Sequence, residues 1–314
     1  MSDLLRQVDA RTTLAGNNKL EILLFSLGMD RGTGREESYG INVFKVREVM
    51  RTPDITRAPD MPSSVQGMAS LRGQLVPVVD LAKYAGIDVE AAPEIMIVTE
   101  YNGYTQGFLV ESVDTILRID WANMRVPPDM LAKQSGGFVT AVTELENGKL
   151  VMMLDVERVL AETSRYDDDF LFRNLRPLDG GERTILFADD SSVARKQIAR
   201  TLHALNVRHV STINGREAWR ELQRIATYAE SNHQRASQFV HLVLTDVEMP
   251  EMDGFILTKR IKSDARLADI PVIMHSSLSG AQNQQLGASV GVDEYVSKFE
   301  PQRLAEVLAR RLAH

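Results

Sequence analysis

A chain of 314 residues has room for two ordinary domains, and 44% hydrophobic with 25% charged residues is a normal globular balance. The net charge of −7 weighs against a nucleic-acid partner, because phosphate binding calls for a basic surface. The lack of cysteine excludes disulfides, thiolate metal sites and thiol chemistry. No apolar run approaches the ~18 residues that span a bilayer. The opening MSDLLRQVDARTT has no signal-peptide core, so a cytoplasmic protein without membrane insertion is expected.

To about residue 160 the pattern is one of short strands. KLEILLFSLG (19–28) and YGINVFKVREVM (39–50) mix apolar runs with alternation, and MDRGTGREES between them reads as the long, mobile tip of a hairpin. QLVPVVDL (74–81) is a further strand whose Pro77 has no N–H for a ladder, which predicts an edge or a bulge. Asn102-Gly103 and Asn147-Gly148 are tight-hairpin signals, the first inside a run of two or three strands. A helix is expected to start near Asp155. Regular short strands of this kind imply small sandwiches or barrels.

The pattern changes after about residue 165. SRYDDDFLFRNLRPLDGGER is charged and closes on Pro177 and Gly180-Gly181, so residues 166–182 read as a linker. From Thr184 onward, TILFA, VRHVSTI, FVHLVLT, IPVIMHS and EYVSK alternate with helical stretches. Five β/α repeats predict a doubly wound, five-stranded parallel sheet. TYAESNHQRASQ exceeds what such connections need and reads as a surface loop.

In an open parallel sheet the C-terminal strand ends meet at one edge, where ligands bind. The first strand delivers Asp189 and Asp190 there, the third Asp246, the fourth Ser276 and Ser277, and the fifth Tyr295 and Lys298. Singly, each has a bland explanation: a DD pair after a strand is usually a helix cap, and a strand-end lysine is usually solvated. Jointly, three carboxylates would repel one another unless a cation sat among them. Oxygen ligands without Cys or His suit Mg²⁺. A carboxylate can accept a phosphoryl group, in a displacement that is mostly positioning and charge neutralisation. Lys298 can cover one side of that group, and Ser276 can hydrogen-bond it and link its arrival to the setting of Tyr295.

LFADDS, LTDVEMPEMDG, IPVIMHSS and EYVSKF, in this order and spacing, resemble a response-regulator receiver domain of the CheY kind over residues 183–314. The resemblance implies that Asp246 is the phosphoacceptor and that Asp189, Asp190, Asp246 and the backbone carbonyl of Glu248 hold Mg²⁺. It makes Ser276 the switch hydroxyl, Tyr295 the switch aromatic and Lys298 the motif lysine. The family usually places Pro directly after that lysine. Here Phe299 follows and Pro301 comes two residues later, so a reshaped loop is expected.

Residues 1–165 contain no basic helix-turn-helix and no Gly-rich nucleotide loop. YGINVFKVREVM, GMASLRGQLVPVVDLAKYAG and GKLVMMLDVERVL resemble a CheW-like coupling domain, which implies two small SH3-like five-stranded barrels. It also implies the chemotaxis histidine kinase and the cytoplasmic tips of chemoreceptors as partners. Arg72, between Leu71 and Gly73, either offers its guanidinium to a partner carboxylate or ties the barrels internally. Val43, Val46 and Val49 read as core. The domain order is that of a CheV-type chemotaxis coupling protein: an adaptor recruited to receptor arrays and modulated by phosphorylation, serving adaptation, feedback or as a phosphate sink. It would not be an enzyme beyond its own phosphorylation and dephosphorylation. The competing reading is a Mg²⁺-dependent phosphohydrolase with Asp246 as nucleophile. Such enzymes want an Asp two residues on, where Glu248 stands.

Overall fold

The structure is a computed structural model. It describes residues 19–57, 59–101, 104–128, 138–163, 172, 175–178, 182–276, 281–298 and 300–312. The chain divides into two compact units, Met1–Tyr166 and Asp167–His314.

The described residues of the first unit form two antiparallel-rich sheets. β1 (Lys19–Asp30) and β2 (Arg35–Asn42) make the expected hairpin. With β9 (Ser112–Asp120), β10 (Val139–Glu144) and β11 (Leu150–Leu154) they give the order β10-β11-β2-β1-β9. The second sheet holds β3 (Val46–Arg51), β4 (Ile55–Thr56), β5 (Val65–Leu71), β6 (Gln74–Asp80), β7 (Ile95–Tyr101) and β8 (Tyr104–Val110), in the order β3-β7-β8-β6-β5-β4. It has six strands rather than the five expected, the addition being two-residue β4.

Both sheets curl. Past the end of β9, Arg125 exchanges backbone hydrogen bonds of 2.9 and 2.8 Å with Val142 on β10, which brings the outer edges of the first sheet together. In the second, β3 and β4 are opposite edges, yet only Thr52, Pro53 and Asp54 join them. That chain spans at most ~14 Å, whereas six flat strands would set the edges about 24 Å apart. The sheet must therefore roll up. β1 is buried on both faces: Leu20, Ile22 and Leu24 enter one apolar cluster with Trp121, Met124 and Val151, and Leu23, Phe25 and Leu27 enter another with Val79, Ile97 and Phe108 of the second sheet. This two-sided burial is why ILLF reads as a continuous apolar run.

Three expectations change here. YGINVFKVREVM is two strands in different sheets, because Asn42 accepts the Phe44 N–H at 2.9 Å and caps a 3₁₀ turn at Val43–Lys45. The long tip is a four-residue turn: Asp30 accepts from the Gly32 N–H and the Thr33 hydroxyl, and Gly34, at φ 64°, closes it. Pro77 lies inside the sheet, but the pairing of β6 with β8 covers only Val78–Asp80, so no ladder bond is lost at Pro77. Asn102-Gly103 lies outside the described residues, whereas the Asn147-Gly148 hairpin forms as expected. Asp155 caps the expected helix, α2 (Val156–Thr163); the short α1 (Leu81–Ala85) is capped by Asp80.

The second unit is the predicted parallel sheet, with β13 (Arg208–Thr212), β12 (Thr184–Ala188), β14 (Leu242–Thr245), β15 (Val272–Ser276) and β16 (Glu294–Ser297) in that spatial order. Its helices are α3 (Ser192–Ala204), α4 (Gly215–Ser231), α5 (Gly254–Ser263), α6 (Ala281–Val290) and α7 (Pro301–Leu312). Successive residues of β12 and β14 alternate between the cluster under α4 and α5 and the cluster under α3 and α7. The stretch read as a surface loop is helical to Ser231, and Ala236 beyond it is buried. Within the stretch read as a linker, Leu175 and Leu178 pack on the α3–α7 cluster. The Leu178 N–H donates to the Leu205 carbonyl at 2.9 Å, and the Arg200 guanidinium lies 4.0 Å from the Phe172 ring centre.

Candidate phosphoryl and docking sites

β12 and β14 flank the point where the strand order reverses, and both end in acids. Asp189 is fully buried, Asp246 is 5% exposed, and Asp190 is half-buried. One carboxylate oxygen from each lies within 4.8 Å of the others. Lys298, buried one residue past β16, places Nζ 2.9 Å from Asp189 Oδ2 and 2.8 Å from Asp246 Oδ2. Backbone amides orient the acids: Ser191 N–H donates to Asp189 Oδ1 at 2.9 Å, and Val247 N–H to Asp246 Oδ1 at 2.7 Å. Ser276 is buried at the end of β15, where its carbonyl accepts the Lys298 N–H. The sheet edge therefore gathers Asp189, Asp190, Asp246, Ser276 and Lys298. Ser277 and Phe299 lie outside the described residues, and Pro301 opens α7, a position that loses nothing by lacking an N–H.

Tyr295 stands on the neighbouring strand. Its hydroxyl is buried with no hydrogen-bond partner among the described residues. Burial first, then the carboxylates of Asp246 and Glu248, push its pKa well above the ordinary value, so the phenol stays protonated. The ring rests against Gly287 of α6, where a Cβ would come within 2.7 Å of Tyr295 Cε2.

The break after Asp246 also has its physical reason. A Cβ on Gly254 would sit 2.1 Å from the Asp246 carbonyl oxygen, and one on Gly215 would sit 2.4 Å from that of Met252. Only glycine lets the 247–253 loop fold back so tightly, with Asp253 capping α5. The sequence pattern marks Gly254 as part of the break but announces no role for Gly215 or for Arg195, whose Nη1 donates to the carbonyls of Asp189 and Asp190. The MDG triplet was the available signal for Gly254.

In the first unit, Arg72 and Gly73 are the two central residues of the β5–β6 hairpin, at φ 50° and 83°. A type I′ loop favours Asn or Gly at the first of these, so an arginine there holds a mildly strained backbone. Its side chain is 75% exposed and pairs with Glu48 of β3 at 2.9 Å. Both residues belong to the six-stranded sheet, so the tie lies within one barrel rather than between the two. Beside it, Leu75 and Tyr104 are 67% and 47% exposed. The two strand starts approach each other, since the Gln74 side-chain amide donates to the Thr105 hydroxyl at 3.5 Å.

Three carboxylates without His or Cys form an oxygen-only donor set, as a hard divalent cation requires. Two family models match the chain. The CheW-like domain matches residues 21–164, and the response regulator receiver domain matches residues 185–309. A coupling domain followed by a receiver defines a two-domain chemotaxis signalling adaptor. Chemotaxis protein CheV3 of Helicobacter pylori is 30% identical over 301 residues, which cover 94% of this chain and 95% of that protein. Chemotaxis protein CheV1 of the same species is 27% identical over 331 residues, 99% of each chain. The chain belongs to the CheV family of chemotaxis coupling proteins. Among solved structures, the scaffolding protein TtCheW from Thermoanaerobacter tengcongensis is 28% identical, with 43% of this chain and 88% of that one covered at a TM-score of 0.37. No helix of the described residues is long and apolar enough to cross a membrane.

Proposed function

We propose that this chain couples chemoreceptors to the chemotaxis histidine kinase through its first unit, and that phosphorylation of Asp246 in its second unit modulates the coupling. The observation that carries this reading is Lys298 Nζ, held between buried Asp189 and Asp246. A buried lysine bridging two acids at a sheet's ligand-binding edge serves charge management at a reacting carboxylate better than it serves stability, because buried ion pairs return little net stabilisation.

Asp189, Asp190, Asp246 and the Glu248 carbonyl would hold Mg²⁺. When bound, the ion would neutralise charge on the phosphoryl oxygens. The chain's own residues do the rest. An Asp246 carboxylate oxygen forms a bond to phosphorus as the P–N bond of the donor phosphohistidine breaks. The electron pair leaves with the imidazole nitrogen, which takes a proton from water. Lys298 exchanges part of its bond to Asp246 for one to a phosphoryl oxygen, and the Ser276 hydroxyl donates to another. The Tyr295 phenol, buried without a partner among the described residues, then has reason to move, and the surface over α6 and β16 changes with it. A tenfold change in coupling needs only ~1.4 kcal/mol of differential affinity.

On the first unit, exposed Arg72 and Tyr104 are of the residue types that interface hot spots favour, with the exposed Leu75 nearby in β6. The test is co-sedimentation with receptor-bearing membranes and the kinase, for the wild type, Asp246→Asn and Arg72→Ala, with and without a phosphodonor and Mg²⁺. The expected outcome is array binding that weakens in Arg72→Ala and responds to phosphodonor only when Asp246 is present, with at most one phosphoryl group per chain. Multiple turnovers of a phosphate ester would instead establish a hydrolase. Failure to associate under any condition would remove the coupling role.

A further inference from the structure

The loop that carries Asp189 and Asp190 begins where the β12 ladder stops. Ala188 is the last β12 residue paired with β13, and the Asp189 N–H still reaches the Thr212 carbonyl at 3.2 Å. Beyond that point the chain turns into α3. Its Ser191 N-cap takes the Ala194 N–H, and its Ser191 N–H turns back to Asp189 Oδ1. These ties fix Asp189 and Ser191. Another tie spans both acids: Arg195 Nη1, one turn into α3, donates to the Asp189 carbonyl and to the Asp190 carbonyl, at 2.8 Å each. The guanidinium is half-buried, and Asp189 is fully buried.

We infer that Arg195 is a positioning residue for the acid site: by holding two successive carbonyls on one donor, it fixes the peptide planes that send both carboxylates toward Asp246. The inference rests on the reading of Asp189, Asp190 and Asp246 as a Mg²⁺ site. The peptide between the two acids has its orientation set by where its oxygen points, and the neighbouring carbonyl is drawn to the same nitrogen. Without Arg195 those oxygens lose this shared donor, and the two peptide planes are held less firmly. Groups that orient ligands through hydrogen bonds typically govern affinity by 10–100-fold when removed.

Arg195 also brings a positive charge close to the acids, and that effect has the opposite sign. A nearby cation repels Mg²⁺, so a purely electrostatic role predicts tighter metal binding once Arg195 is gone. Positioning predicts weaker binding. The sign of the change separates the two.

The experiment is calorimetric titration of the full chain with Mg²⁺, for the wild type, Arg195→Met and Arg195→Lys, with a thermal melt of each. Arg195→Met keeps the apolar stem and removes both donor and charge. The expected result is a dissociation constant raised about 10-fold or more, with Arg195→Lys falling between it and the wild type because an ammonium can still donate to carbonyls. Unchanged or tighter binding in Arg195→Met overturns the inference while leaving the metal site standing. A wild-type chain that binds no Mg²⁺ overturns the reading beneath it, and the inference with it. Should Arg195→Met fail to melt cooperatively, Arg195→Lys decides: affinity equal to wild type refutes positioning by the guanidinium, and a several-fold loss in a chain that melts normally supports it.

Discussion

Replacing Lys298 with Met leaves the aliphatic stem in place and removes one charge from beneath the site. The ammonium it takes away touches Asp189 at 2.9 Å and Asp246 at 2.8 Å, and both carboxylates are almost wholly out of water. Solvent therefore does little to screen what remains, two like charges with their shared partner gone. Breaking a buried pair by deleting one partner costs about 3–5 kcal/mol. For a unit of this size that is a fall of roughly 10–20 °C in the receiver's melting temperature. The chain has two tryptophans, Trp121 in the first unit and Trp219 in the second. A Trp121→Phe background therefore lets Trp219, beneath the Arg260 guanidinium, report the second unit alone during urea unfolding. The expected outcome is a large loss without metal that millimolar Mg²⁺ partly restores, because a divalent ion supplies the missing charge. A loss below ~1 kcal/mol, within the range of an exposed pair, would refute the account of Lys298 as the counter-charge of a buried acid site.

Three further outcomes follow from other contacts. Gly254→Ala would force a Cβ to within 2.1 Å of the Asp246 backbone oxygen; a loss of about 1–3 kcal/mol or more, read by denaturant unfolding, should come with slower phosphoryl uptake, and near-neutral behaviour would show that the loop can shift. Leu178→Asp should peel the segment before β12 from the α3–α7 cluster, costing about 1–2 kcal/mol and exposing residues 172–178 to limited proteolysis in the folded protein. His241 accepts the Thr184 N–H at Nδ1, and burial first, then Arg183, hold its pKa below the ordinary 6.5. A depressed histidine pKa stabilises the fold above the unfolded value, and that contribution is lost as pH falls through the folded value. Receiver stability should thus decline below about pH 6.5, and His241→Gln should flatten that part of the profile.

The acid site was legible in the sequence because a parallel sheet sends every strand's C-terminal end to the same edge. Once five β/α repeats are recognised, Asp189, Asp190, Asp246, Ser276 and Lys298 are neighbours however far apart they lie in the chain. The strands of the first unit were legible for a similar reason, since period-two patterning is a local property. Alternation does not say which sheet a strand joins. The Asn42 cap divided YGINVFKVREVM between two sheets, and a three-residue connector rolled the second sheet up.

What only the tertiary structure decided is a matter of close approach. Gly254, Gly215 and Gly287 are small because a particular carbonyl oxygen or ring edge lies where a Cβ would go. Arg72 pairs with Glu48 because the β5–β6 turn and β3 meet in the six-stranded sheet. Arg195 reaches two backbone carbonyls that no side-chain pattern announces. Residue type and spacing determine which groups arrive at an edge or a face. The last few ångströms, on which hydrogen bonds and steric limits depend, are set by how the elements pack.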